Sequence, residues 1–222
     1  MVMGKVKRGT GITCHSIDYD KKTLSIDFSG DYDGDCFRND ASLFFFAANS
    51  YFRSHYLLDR ELKKCFENET NVKLIEHLVM PYFFNFRHYV ELEIKALIIA
   101  ITGEYPATTH DLIRLKEALG RNLDSITYKD KDDDKARMLQ EELKEQYEIV
   151  NNCIDDYYKM EPACDYYRYL FQSDHNRGMH LENPELSIDY NTTHALFCSI
   201  STSFNRMCEC LNHLDIYVYN FI

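Results

Sequence analysis

Apolar and polar residues follow two different periods along this chain. Between Ile12 and Ser29 the period is two. Ile17 and Tyr19 alternate with polar residues, as do Leu24, Ile26 and Phe28, around a turn-like Asp20-Lys21-Lys22 centre. This pattern predicts a β-hairpin. Beyond about Asn39 the period becomes helical. A first helix is expected from Asn39 or Asp40, either of which suits the cap position, through an aromatic-rich run to about Phe66. Arg53 and His55, two apart on this helix, do not face each other and are not read as a site. A second helix begins near Asn71, where Pro81 is expected to kink or split it and Gly103 to close it. Thr108 or Thr109 should cap a third, His110–Leu119, with Asp111 in its first turn and Gly120 at its end. A long amphipathic helix follows over Ala136–Tyr158. A short helical stretch after Pro162 and a polar loop over Ser173–Leu186 come next. The last helix, about Tyr190–Val218, carries Leu196, Ile200, Phe204, Met207, Leu211 and Leu214 on one face.

These elements predict an all-α helical bundle with a small N-terminal β-hairpin: residues 1–38 as an appendage, 39–222 as the bundle. Its organising stretch is Phe83–Gly103. Phe86, Val90, Ile94, Leu97, Ile98 and Ile101 cover most of the circumference of a helix there, so that helix should be buried. Yet Arg87, Glu91 and Lys95, each four apart, form one ridge, with His88 beside it. Buried charges must be paired or lie in a solvated pocket. The alternatives are a buried ion-pair ladder and a functional polar pocket.

Composition narrows the setting. The 222 residues hold 17 Tyr and 14 Phe, and 45% are hydrophobic, which implies a folded globular protein. The net charge of −11 argues against a general nucleic-acid coat, though not against RNA at one local basic cluster. The eight cysteines form no CxxC pair, and most sit in apolar helical context, as small buried residues of a reducing cytoplasm do. No metal site is expected. The Ser29–Asp35 loop lacks the closing Glu of a calcium loop, and adjacent carboxylates such as Asp132–Asp134 diverge on a helix. The N-terminus lacks the apolar region of a signal peptide, and the longest apolar stretch is too short to span a bilayer. A cytoplasmic protein without cofactor is expected.

Three segments in order carry a resemblance: RHYVELEIKALI (Arg87–Ile98), THDLIRL (Thr109–Leu115) and MEPACDYYRYLFQSDHNRG (Met160–Gly178). Together they resemble the HEPN superfamily of helical bundles, over roughly Leu74–Leu214. Many members of that superfamily are metal-independent endoribonucleases of prokaryotic toxin or phage-defence systems. Their signature is an Arg, four to six residues and a His, read across a homodimer. Arg168 and His175, with six residues between them, match that spacing and are what the resemblance implies as the catalytic pair. Arg87, His88, Glu91, Lys95 and His110 would line or brace the same pocket and hold RNA or a nucleotide. Tyr169 follows Arg168 where active members carry a polar residue. An aromatic-Arg-Tyr segment also resembles members that bind nucleotides or serve as noncatalytic dimerisation or docking modules. Separately from the resemblance, the hairpin and the aromatic first helix are a candidate docking surface for a protein partner in a larger complex.

The chemistry stands without the family. Metal-free RNA cleavage needs a base for the 2′-hydroxyl, an acid for the leaving oxygen and a cation on the phosphate. Histidine titrates near neutrality, and arginine has a bidentate fork for phosphate oxygens. Two Arg–His pairs meeting at a twofold axis would supply both acid and base. The competing readings are structural. His175 would be solvated in its polar loop. Arg168 would be held by neighbouring aromatic rings or by Glu91, and His110 would bond to nearby backbone.

Overall fold

The protein is described here from a computed structural model, over residues 13–18, 23–27, 36–69, 72–106, 108–126, 134–160, 189–214 and 216, with side chains from residue 41 onward except that of Met160. Five helices account for the class, which is all-α: α1 (Cys36–Glu67), α2 (Val72–Thr102), α3 (Leu112–Asp124), α4 (Asp134–Met160) and α5 (Tyr190–His213). Two short stretches, β1 (Thr13–Asp18) and β2 (Thr23–Asp27), are paired antiparallel, with Ile17 opposite Leu24. Their side chains and the link between them lie outside the described residues, and the class rests on the helices alone. The short helix expected after Pro162 and the loop over Ser173–Leu186 also lie outside.

Helix α2 is central. It packs along α1 and touches α3 and α5, while α4 lies along α5 and α3 also meets α4. Most residues between Tyr82 and Ile99 are buried on every side of the helix, as its nearly continuous apolar circumference requires. Ile101, expected among them, is only half-buried. Pro81 does not split α2, which runs unbroken through it. Proline removes one backbone donor, but packing on several sides outweighs that loss.

The other helices show the face each buries. In α4, Leu143, Val150, Ile154 and Tyr157 are buried at helical spacing. In α5, Ile200, Phe204, Met207 and Leu211 are buried as expected, but Leu196 and Leu214 are only half-buried. The residue at the aromatic centre is Phe197. Its ring stacks on Phe86 at a centroid distance of 3.6 Å. It also meets His55 of α1 at 5.1 Å, Tyr82 at 5.3 Å, Phe83 at 5.8 Å and Tyr157 of α4 at 6.2 Å. One side chain thus joins four helices.

Several boundaries differ from the sequence expectation, each for a local reason. Helix α1 begins at Cys36, ahead of the expected caps Asn39 and Asp40 and inside the segment assigned to the appendage. Helix α3 is capped by Asp111 rather than by Thr108 or Thr109. The Asp111 carboxylate accepts from the N–H groups of Ile113 (2.9 Å) and Arg114 (3.4 Å). A carboxylate outcompetes a hydroxyl at the positive end of a helix. Thr109 instead accepts from the Asp111 N–H, and His110 precedes the helix. Gly120 does not end α3. It lies inside, where a Cβ would overlap the Tyr147 hydroxyl that donates to the Lys116 carbonyl at 3.0 Å. Gly103 closes α2 as expected, with φ 74° and its N–H on the Ile99 carbonyl at 2.8 Å.

Phe197→Ala should therefore destabilise the protein by about 3–5 kcal/mol, and Leu196→Ala by much less, as read from urea unfolding. Gly120→Ala should be stabilising by about 1 kcal/mol only in a Tyr147→Ala background, where helix propensity acts without the clash.

Candidate functional site

The ridge on α2 resolves into a buried carboxylate with several positive partners. Glu91 Oε1 lies 2.6 Å from Lys95 Nζ and 2.9 Å from His110 Nδ1. Glu91 Oε2 lies 3.5 Å from the Arg87 guanidinium and 3.6 Å from His88 Nδ1. The Glu91 side chain is 3% exposed, Arg87 7%, Lys95 12% and His88 18%, so this charge cluster sits within the bundle. Arg87, His88 and Lys95 come from one face of α2, each three or four residues from Glu91. His110 arrives from the α2–α3 connection, held by Arg87, which donates to its carbonyl at 2.5 Å. The His88 ring packs edge-on against Tyr51 of α1 at 4.9 Å.

Burial by itself would raise the Glu91 carboxyl. Hydrogen bonds from His88, Lys95 and His110, together with the Lys95 charge, overcome that and hold it down at about 2. Glu93, two residues along and on the opposite side of α2, has the contrary fate. Its neighbours include the buried Tyr89 and Cys208, and burial pushes its carboxyl up to about 8. Glu91 is thus ionised and Glu93 protonated near neutral pH.

The geometry separates the members of the cluster. Arg87, His88 and Lys95 face inward onto Glu91, with Arg87 and Lys95 as its counter-charges. His110 is the member that meets solvent, with its side chain 67% exposed. Glu91 accepts from Nδ1–H, so the tautomer leaves Nε2 free to exchange a proton with solvent or a bound molecule. The N-terminus of α3, a ready anion site in other settings, is occupied: Asp111 caps it, and the Leu112 N–H goes to the Tyr158 hydroxyl at 3.2 Å. Tyr158 belongs to the last turns of α4, so α2, α3 and α4 converge here. A neighbouring groove of about 570 Å3 lies between the end of α2 and α3, lined by Ile98, Tyr105, Arg114 and Arg121 among others, and none of the five candidate residues lines it.

The structure thus brings Arg87, His88, Glu91, Lys95 and His110 together. Arg168 and His175 lie outside the described residues. Among the described residues, no group of three His, Cys, Asp or Glu side chains is arranged to hold a metal, and no helix is long and apolar enough to cross a membrane.

A second polar cluster was not anticipated. Asp59 of α1 gathers Tyr82 of α2 and Tyr190 and His194 of α5. His194 and Cys198 stand four apart on α5, a pairing legible from spacing, but nothing in the sequence places Asp59 beside them. His55, one turn from Asp59, is a core histidine. Burial lowers it to about 4, with its Nδ1 on the Tyr82 carbonyl at 3.1 Å.

In comparisons with family models, curated proteins and solved structures, nothing matches this chain.

Removing the Glu91 charge should be costly. Glu91→Ala leaves Arg87 and Lys95 buried without their carboxylate, an expected loss of about 3–5 kcal/mol in urea unfolding at neutral pH. The folded-state value lies below the ordinary carboxylate range, so the Glu91 contribution is complete above pH 4.5 and disappears as pH falls through about 2. Glu93 has the opposite sign. Its folded-state value is raised, so its penalty grows as pH climbs from 4.5 and is complete above about 8. Glu93→Gln should therefore stabilise by a few kcal/mol (~1.4 kcal/mol per unit of pH) at pH 7–8 and by little at pH 4.5.

Proposed function

We propose that this chain is a HEPN-like helical protein, cytoplasmic and homodimeric, that cleaves RNA without a metal in a prokaryotic defence or toxin system. Arg168 and His175 are its reacting pair. The Arg87–Glu91–Lys95 ladder, with His88, braces the site rather than binding substrate. The residues ahead of α1, including the paired strands, form an appendage that docks a protein partner. The observation that supports this reading is the Glu91–His110 pair. An imidazole 67% exposed, with a buried carboxylate 2.9 Å behind its Nδ1, is an arrangement suited to proton transfer at a solvent-facing edge. Tyr158 lies at the same place, two residues before the end of α4, and the chain leaving α4 carries Arg168 and His175. Two copies meeting at a twofold axis would bring two such histidine sets to one phosphate.

A noncatalytic HEPN-like module, one that dimerises, binds a nucleotide or docks a partner, is the second reading. It is favoured by the neutralisation of the cations on Glu91 and by the occupied N-terminus of α3.

Incubation of the purified chain with mixed cellular RNA in excess chelator separates the two. Cleavage by the wild type, lost in folded Arg168→Ala and His175→Ala variants, is the expected result. Cleavage that all three proteins share, or none at all, would transfer the assignment to the module.

A further inference from the structure

The Asp59 cluster carries chemistry that the Glu91 site does not. Asp59 Oδ1 receives the Tyr82 hydroxyl at 3.1 Å, the Tyr190 hydroxyl at 3.1 Å and His194 Nδ1 at 3.0 Å. A carboxylate has no proton to offer, so all three partners must donate. His194 therefore carries its proton on Nδ1, and the lone pair of Nε2 faces away from Asp59. Cys198 Sγ lies 3.5 Å from that Nε2, one helical turn further along α5. The Asp59 side chain is 10% exposed and the His194 side chain 42%, while Cys198 itself is exposed. Buried orienter, half-exposed base and accessible thiol thus stand in line, the order that activated nucleophiles share.

We propose that Cys198 is a peroxide-reactive thiol, oxidised to a sulfenic acid with His194 as its base and Asp59 as the positioning residue. Sγ attacks one oxygen of hydrogen peroxide. An S–O bond forms as the O–O bond breaks. The thiol proton passes to His194 Nε2 and from there to the departing hydroxide, which leaves as water. Sulfur is oxidised by two electrons and the peroxide is reduced by two. A small oxidant suits the site, because among the described residues the polar contact of Cys198 is with His194, with no oxyanion cradle for a larger acyl substrate.

Burial and the Asp59 charge push the Cys198 thiol above its ordinary value. A standing thiolate is therefore not the reactive form, and the proton must leave as the S–O bond forms. Among the described residues, the titratable groups around the relay are His55, Asp59 and Glu67 on α1, Tyr82 on α2 and Tyr190 on α5. Both tyrosines are raised by burial and by Asp59, so they stay protonated donors across the neutral range. His194 is left as the acceptor.

The test is trapping with dimedone after exposure of the full chain to hydrogen peroxide, resolved by peptide mapping, with half-buried Cys153 as internal reference. The adduct at Cys198 should form about tenfold faster than at Cys153. His194→Ala should remove most of that advantage while Cys153 is unchanged, and Cys198→Ser should remove the adduct. The wild type alone supplies a second reading that needs no variant to fold. It is the ratio of the Cys198 rate to the Cys153 rate within one sample. Equal rates at Cys198 and Cys153 in the wild type would overturn the proposal. So would equal labelling of Cys198 in the wild type and His194→Ala.

Discussion

The rest of the structure depends on one buried carboxylate. Glu91 sits in the middle of the most apolar helix, where an isolated charge would cost several kcal/mol. The bundle meets that constraint by surrounding it. Lys95 and Arg87 bracket it along α2, His88 closes one side against Tyr51, and His110 is brought in from the α2–α3 connection. The last contact has architectural consequences. The connection is pinned to the centre of α2, which sets where α3 begins. Asp111 then caps α3, and Tyr158 reaches over from α4 to the same turn. The charge that must be satisfied thereby specifies how three helices meet.

Glu91 and Glu93 show how strongly position governs chemistry. They are two residues apart on one helix and both buried, yet one is held ionised and the other protonated. Two residues are about 200° of helix, so they face different neighbours. Cations surround Glu91, whereas the neighbours of Glu93 include Tyr89 and Cys208. The difference lies entirely in partners. Lys116 makes the same point between helices: its buried ammonium joins α3 to α4 through Asp155 and the Asn151 carbonyl.

Asp59 is a second hub of the same kind, tying α1 to α2 and α5 at the other end of the aromatic core. Tyr82 links the two halves of that arrangement. Its hydroxyl donates to Asp59, while its ring stacks on His55 and meets Phe197. The polar hubs and the aromatic centre therefore fix the same helices from different sides. Each hub also leaves one imidazole partly in solvent, His110 at Glu91 and His194 at Asp59. These are the places where a carboxylate that holds the bundle together also poises a proton.

By itself the sequence determined the class, the burial of α2 and the shared ridge of Arg87, Glu91 and Lys95, though not whether that ridge forms an ion-pair ladder or lines a pocket. All three follow from periodicity and i, i+4 spacing, which act within one helix. It also determined the close of α2 at Gly103, because a positive φ there suits glycine. The length of α3 was not legible, because Gly120 reads as a terminator until Tyr147 is seen lying over it. Nor were the partners of Phe197, although it stands seven residues before Phe204, on the face of α5 that hydrophobic spacing selects. The cluster of Asp59, Tyr190, His194 and Cys198 joins residues up to 139 positions apart. The tertiary structure decided these matters because each depends on what a neighbouring helix presents, and no pattern within one segment carries that information.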